Sequence, residues 1–180
     1  MDVSMLHTVT EDLAGWLSEI TQGDLGQPTP VPARDVGDLY LHIIDRNLVV
    51  AAGLTHQPVH VPVQGHALRR PTLDTSVDLY GGGFERLYRR TARQTEDGFA
   101  SVSSAESRYC IDGVDLDACA VYDKHVSDTV IHTWDLTQAM GFDYRPSAEV
   151  AQRIWQSLQK SPIEDADTVW ACALRMSGRV

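Results

Sequence analysis

Four side chains capable of metal binding or proton transfer recur along one stretch of the sequence, KHVSDTVIHTWDL. They are His125, Asp128, His132 and Asp135, separated by three, four and three residues. At about 100° per residue, these positions share an arc of roughly 80° on one face of a helix. An Asp and a His four residues apart project from successive turns, so both can reach one divalent cation. A solvated helix face gives the same pattern, and the spacing alone leaves both interpretations open.

A second polar stripe lies upstream and carries another histidine. His42 shares this stripe with Asp38, Asp45 and Arg46, while apolar residues cover most of the remaining circumference. Such a stripe opposite a broad apolar face points either to solvent or into a polar cavity inside a helix bundle. In the second case His42 would meet Asp128 and His132, because helix bundles build metal sites from His and carboxylate side chains on facing helices.

Long helices are needed to position these residues, and the 180-residue chain has the pattern for them. Apolar residues three or four apart predict an all-α, single-domain fold, an antiparallel four-helix bundle with additional C-terminal helices. The predicted bundle helices span about 4–21, 35–53, 74–97 and 115–140, and the C-terminal helices about 147–160 and 163–175. Asp35 and Ser147 are predicted N-caps, and Gly53 a C-terminal stop. Three glycines at 81–83 predict a kink or late start in the third helix.

Two connections are predicted between these helices. The proline-rich segment 54–73 has no helical period and is predicted to be a loop. The segment SVSSAESRYCIDGVDLD predicts a short extended excursion with Asp112-Gly113 as its turn.

Charge and composition exclude several classes of function. The formal net charge of −10 disfavours binding to nucleic acid and to anionic lipid surfaces. No apolar run approaches the roughly 20 residues of a membrane helix, and the start MDVSMLHTVTEDL lacks the features of a signal peptide. Three cysteines without CxxC spacing indicate reduced thiols, and Cys119 is predicted to be a buried, inert one. We therefore expect a cytoplasmic protein without a membrane partner, with a homodimer as the default assembly.

Two segments resemble a known family. TPVPARDVGDLYLHI (29–43) is similar to the TPCxxWxVxDLxxHL segment of the DinB-like, metal-binding four-helix bundles related to the N-terminal domain of mycothiol-dependent maleylpyruvate isomerase. HVSDTVIHTWDLTQAMG (125–141) is similar to that group's HxxDxxxHxWDLAxATG segment. Val31 and Arg34 stand where the family usually has Cys and Trp.

The resemblance implies a metal site and a reaction. The family's ligands match His42, Asp128 and His132, His125 matches a common position, and Asp135 would support the ligands from behind. The donor set suits a divalent metal, with zinc first and nickel, iron or manganese as alternatives. The implied function is a transferase or isomerase that uses a low-molecular-weight thiol such as mycothiol on a small electrophile, with His125 or Asp135 orienting a ligand or moving a proton. A metal-dependent hydrolase or rearrangement enzyme, and a non-catalytic metal- or ligand-binding bundle, remain the alternatives.

Overall fold

Helices with buried apolar stripes make up most of the chain. The computed structural model describes residues 1–56, 83–158 and 166–179. The six α-helices in those ranges are α1 (Ser4–Ser18), α2 (Val36–Thr55), α3 (Phe84–Ala100), α4 (Ala118–Ala139), α5 (Ala148–Leu158) and α6 (Ala166–Met176). A 3-10 turn covers Gln22–Asp24, and two antiparallel strands, β1 (Arg108–Ile111) and β2 (Val114–Asp117), form a hairpin. The prediction of a mostly helical protein is confirmed.

Side-chain caps and turn residues set several of these boundaries. Asp35 accepts a hydrogen bond from the Asp38 amide at 2.9 Å, and Asp117 caps α4 in the same way from the Ala120 amide at 2.7 Å. The predicted cap at Ser147 is also present, since its hydroxyl accepts from the Val150 amide. Each cap satisfies an amide that the helix itself leaves without a partner.

The predicted excursion is the hairpin, and its turn lies where the sequence indicated. Asp112 and Gly113 both have positive φ, 53° and 78°. Two consecutive residues of this kind form the tight turn that matches the twist of paired strands. Because β2 occupies 114–117, α4 begins three residues later than predicted.

Gly53 is not the end of α2, because the helix continues to Thr55 and His56 then adopts a left-handed conformation with φ 52°. A Cβ on Gly53 would clash with Cδ1 of Ile111 and lie 3.4 Å from the main-chain oxygen of Cys110, both in β1. The glycine therefore allows the hairpin to lie directly on α2, instead of ending the helix.

The third helix begins at Phe84, immediately after the three glycines, and extends to Ala100. Its predicted part before residue 83, most of the predicted loop 54–73, residues 159–160 of the fifth predicted helix and residues 163–165 of the sixth lie outside the described residues.

Two apolar clusters hold the helices together. One joins α1, α2, α3 and α4 near Leu13, Leu39 and Phe84, and the other joins the hairpin, α5 and α6 to the opposite ends of α1, α2 and α4. Both α1 and α2 pack against α3 and against α4. The contact of α2 with α4 brings the two polar stripes of the sequence onto facing surfaces. Among the described helices, none combines the length and the hydropathy that a bilayer crossing requires.

Candidate functional site

The rings of His42 on α2 and His132 on α4 are in edge-to-face contact. Their centroids are 5.1 Å apart and their planes meet at 85°. His132 is buried and His42 is half-buried. The solvated-face interpretation is wrong for most of the α4 stripe, because His125, His132 and Asp135 are each less than 10% exposed. The contact between α2 and α4 thus unites two residues that lie far apart in sequence, as the metal hypothesis requires.

His42 is electrically neutral at pH 7. Its burial and the nearby His132 lower the pKa of His42 to about 4. The cations Arg34 and Arg46 act in the same direction, and Asp128 opposes them. Neutral imidazole is the form of histidine that binds a metal ion, so this ring is held in the state that a ligand needs.

His132 is oriented by a buried carboxylate. Its Nδ1 lies 3.5 Å from Oδ2 of Asp135, which is fully buried. Since an ionised carboxylate only accepts hydrogen bonds, Nδ1 is the donor in this contact. A carboxylate behind a histidine is the usual support of a metal-binding imidazole. Asp135 thus contacts the nitrogen of His132 from which such support would act.

Asp135 has a second partner from the far end of the chain. The guanidinium of Arg179 donates from Nε to Oδ1 at 3.0 Å and from Nη2 to Oδ2 at 2.7 Å. Burial alone would raise the pKa of Asp135, but the hydrogen bonds from His132 and Arg179 hold it below its ordinary value. The paired geometry keeps the carboxylate charged inside the fold.

Asp128 lies on the same face of α4 as His125 and His132, and it is paired with a lysine. Its Oδ2 accepts from Nζ of Lys124 at 2.8 Å, one helical turn earlier. Within the ranges that the structure describes, no three His, Cys, Asp or Glu side chains are grouped closely enough to hold a metal ion. The His42 and His132 rings are thus already in contact, whereas the Asp128 carboxylate is paired with Lys124.

His125 lies one turn before Asp128 and borders a cavity. This cavity of about 170 Å³ is enclosed by α2, the hairpin and α4. His125 is 4% exposed, and its Nε2 has no hydrogen-bond partner within the described part of the chain. Burial lowers the pKa of His125 to about 4, so this ring is also neutral at pH 7.

A wider groove of about 760 Å³ lies on the other side of Asp128. It is lined by residues of α4, α5 and the C-terminal segment, among them His132 and Arg179. Asp128 and Lys124 border both the groove and the smaller cavity. Asp128 can therefore be approached from two sides, through the small cavity beneath the hairpin and through the wider groove beside α5.

Cys119 lines this groove and is exposed, so the prediction of a buried thiol is wrong. It lies in the first turn of α4, two residues after the end of β2 at Asp117. Partial burial and the neighbouring Asp123 raise the pKa of the Cys119 thiol. A raised pKa disfavours the thiolate, which is the nucleophilic form.

Sequence reasoning missed two residues of this site. Lys124 stands four residues before Asp128, which is an ion-pair spacing visible in the sequence. Arg179 lies 44 residues after Asp135, and no local pattern connects them.

Comparisons with models of protein families, with curated proteins and with solved structures yield no match to this chain.

Proposed function

We propose that this protein is a metal-dependent transferase or isomerase that uses a low-molecular-weight thiol, such as mycothiol, on a small electrophilic substrate. His42, Asp128 and His132 would hold the divalent metal. The observation that carries the proposal is the contact between the His42 and His132 rings, which come from different helices and of which His132 lines the wide groove.

Two of the three proposed ligands, His42 and His132, suit a divalent cation as they stand. His42 is neutral because of its low pKa, and the pairing of the His132 Nδ1 with Asp135 would leave Nε2 for the cation. Asp128 supplies an oxygen ligand only when it exchanges Lys124 for the cation. Two imidazoles and one carboxylate favour zinc, with nickel, iron and manganese as alternatives.

We further propose that α1 to α4 form an antiparallel four-helix bundle of the DinB-like kind. In support, α1 and α2 each pack on both α3 and α4, as neighbours around a four-membered ring do. The two segments that resemble the family contribute the facing residues His42 and His132.

A divalent cation at this site would lower the pKa of a bound thiol and so supply a thiolate at neutral pH. The side chains of the protein would position the reactants. Asp135 and Arg179 would keep His132 in one orientation, and the neutral ring of His125 would form part of the cavity wall nearby. The protein's own Cys119, whose pKa is raised, competes poorly with an external thiol. Such a cosubstrate stays reduced in the cytoplasm, which is where we propose that the enzyme acts.

Metal content tests the site. Protein purified without chelators should contain about one divalent metal per chain by elemental analysis, and His132→Ala should contain almost none. His7→Ala is the matched control, since it removes a histidine from the surface of α1 that pairs with Glu96. Metal-free wild-type protein that also fails to take up zinc, nickel, iron or manganese on reconstitution would refute the metal site.

Turnover tests the chemistry. Metal-loaded protein is incubated with mycothiol or glutathione and a panel of epoxides and enones, with His42→Ala as the comparison. Thiol addition that requires both the metal and His42 supports the proposed reaction. Turnover that needs the metal but no thiol would replace it with hydrolysis or rearrangement, and binding without turnover would replace it with a non-catalytic role.

A further inference from the structure

An exposed cluster of arginines lies on the N-terminal part of α3. Its members, spaced three or four residues apart, are Arg86, Arg89, Arg90 and Arg93. This spacing places all four on one face of the helix, where they line a single open groove. At 1.5 Å per residue, the arginine cluster extends about 10 Å along the helix axis.

Few carboxylates compensate the arginine cluster. Arg89 pairs with Glu11 of α1 at 3.1 Å. Among the described residues, the other three arginines form no ion pair. Counting Glu11 and the groove residue Asp97 against the four arginines leaves two positive charges, although the chain as a whole carries −10. The arginine cluster is therefore a local region of positive potential on an acidic protein.

The arginine cluster does not serve the stability of α3. Like charges one turn apart, such as Arg86 and Arg90, repel each other. Arg86 also lies in the first turn of the helix, where the helix dipole already contributes positive charge. The packing of α3 depends on its other face, where Phe84 and Tyr88 are buried. An anionic partner would offset the repulsion, so binding explains the arginine cluster better than folding does.

The distribution of charge decides which kind of anion fits. Nucleic acid and anionic lipid surfaces extend well beyond 10 Å, so they would also meet the acidic remainder of the protein. A single small anion would contact only part of a cluster of this length. A short acidic protein segment can place several carboxylates along the arginines and end where they end. Each guanidinium can then donate two parallel hydrogen bonds to a carboxylate.

We infer that the arginine cluster is a docking surface for a short acidic segment of another protein, whose carboxylates pair with Arg86, Arg90 and Arg93. Exposed ion pairs are individually weak and are screened by salt, so the binding depends strongly on ionic strength. Helix α3 supplies none of the proposed metal ligands. The inference therefore goes beyond the proposed function and does not depend on it.

Fluorescence anisotropy tests the inference with two labelled peptides of about twelve residues. One has glutamate at every third or fourth position of an alanine-rich sequence, and the other has glutamine at the same positions. At an ionic strength of about 20 mM, the wild type should bind the glutamate peptide at least roughly tenfold more tightly than the glutamine peptide. Most of this binding should be lost at about 300 mM salt.

Charge reversal locates the binding surface. The double variant Arg86→Glu/Arg90→Glu should bind the glutamate peptide roughly tenfold more weakly than the wild type, because each reversal replaces an attraction by a repulsion. The matched control is Arg145→Glu/Arg175→Glu, which changes the net charge equally at two exposed arginines outside α3. Its binding should stay within about twofold of the wild type.

Folding and metal content are checked in the same samples. The Arg86→Glu/Arg90→Glu variant should unfold at the same urea concentration as the wild type or a higher one, since the reversal relieves repulsion and suits the helix dipole. Its metal content should equal that of the wild type. The inference is overturned if the wild type does not bind the glutamate peptide at low salt, or if the two double variants bind it equally. Tighter binding of a single-stranded oligonucleotide of equal charge would also overturn it, in favour of nucleic acid.

Discussion

Helix α2 makes two buried polar contacts of different kinds, one with α3 and one with α4. Toward α3, the side-chain amide of Asn47 donates to the Thr91 hydroxyl at 3.1 Å. The Thr95 hydroxyl donates to the main-chain carbonyl of Asn47 at 2.9 Å. Toward α4, the rings of His42 and His132 touch, and a cavity lies between the helices one turn away, at Arg46 and Asp128. The first contact is closed by its own hydrogen bonds, whereas the second joins two rings edge to face, and near it Nε2 of His125 has no hydrogen-bond partner among the described residues.

The comparison distinguishes the polar groups of α2 that hold it against α3 from those that belong to the candidate site. Buried polar groups that pair with one another stabilise a unique packing and need nothing further. A buried group without a partner lowers stability, and function is a common reason for its presence. Burial alone does not identify the site, because Thr91 and Asp135 are both fully buried.

Acidification should produce the largest effect, a loss of stability that arises at His125 on α4. In the unfolded chain His125 takes up a proton near pH 6.5, while in the folded protein its pKa is about 4. Between these values the unfolded state binds more protons, so the free energy of unfolding falls as pH falls from 6.5 to 4. Across this pH range the shift of the His125 pKa changes the free energy of unfolding by on the order of 3 kcal/mol. Urea unfolding at pH 7, 5.5 and 4 should show a shallower loss for His125→Leu, and parallel curves for the two proteins would contradict this expectation.

Asp135→Asn should weaken metal binding about 10- to 100-fold while leaving the ligands in place. The substitution removes the charge that orients His132 and that pairs with Arg179. Affinity is measured by competition with a chromogenic chelator. Asp123→Asn is the matched control, because it breaks another Asp–Arg pair of α4, with Arg153, away from the histidines. Equal affinities for these two variants would show that Asp135 does not position His132.

Thr91→Val sharpens the comparison from the α3 side. It keeps the shape of the side chain but leaves the Asn47 amide without its acceptor, so stability should fall by about 1–3 kcal/mol in urea. Metal affinity should stay within about twofold of the wild type, since α3 supplies none of the proposed ligands. Thr8→Val on the exposed side of α1 serves as a control, with an expected change within about 0.5 kcal/mol. A large loss of metal affinity in Thr91→Val would mean that the two contacts of α2 are coupled.

Lys124→Met should have the smallest effect and the opposite sign. Removing the ammonium group frees Asp128 and takes a positive charge away from the cation site, so metal affinity should rise about two- to fivefold. Arg90→Met, which removes an exposed cation from α3, should leave the affinity unchanged. Unchanged or weaker metal binding in Lys124→Met would mean that Asp128 is not a ligand.

The sequence predicted the parts of the fold that depend on neighbouring residues. The caps at Asp35 and Ser147 and the turn at Asp112-Gly113 are local arrangements of a few residues, and all three occur where they were predicted. The stripes of α2 and α4 follow from helical periodicity in the same way. The positions of His42 and His132 on facing surfaces required the family resemblance as well, since periodicity left the orientation of each stripe open.

Contacts between distant segments could not be predicted in this way. Gly53 looked like a helix end because its close neighbour, Ile111, comes from a hairpin much later in the chain. Cys119 looked buried because an average helical cysteine is buried, whereas this one lies at the start of α4 beside an open groove. The partner that Asp128 takes, Lys124 or a metal ion, depends on what the site binds.

The bond between Arg179 and Asp135 has a consequence for the order in which the molecule is made. During translation Asp135 leaves the ribosome well before Arg179, which is encoded 44 residues later. Until then the nascent chain contains the histidines and their carboxylate but not the guanidinium that neutralises it. Burying that carboxylate without its counter-ion is costly, so the end of α4 completes its packing only after Arg179 has been synthesised. A chain truncated before Arg179 would thus contain every proposed ligand and an unfinished site.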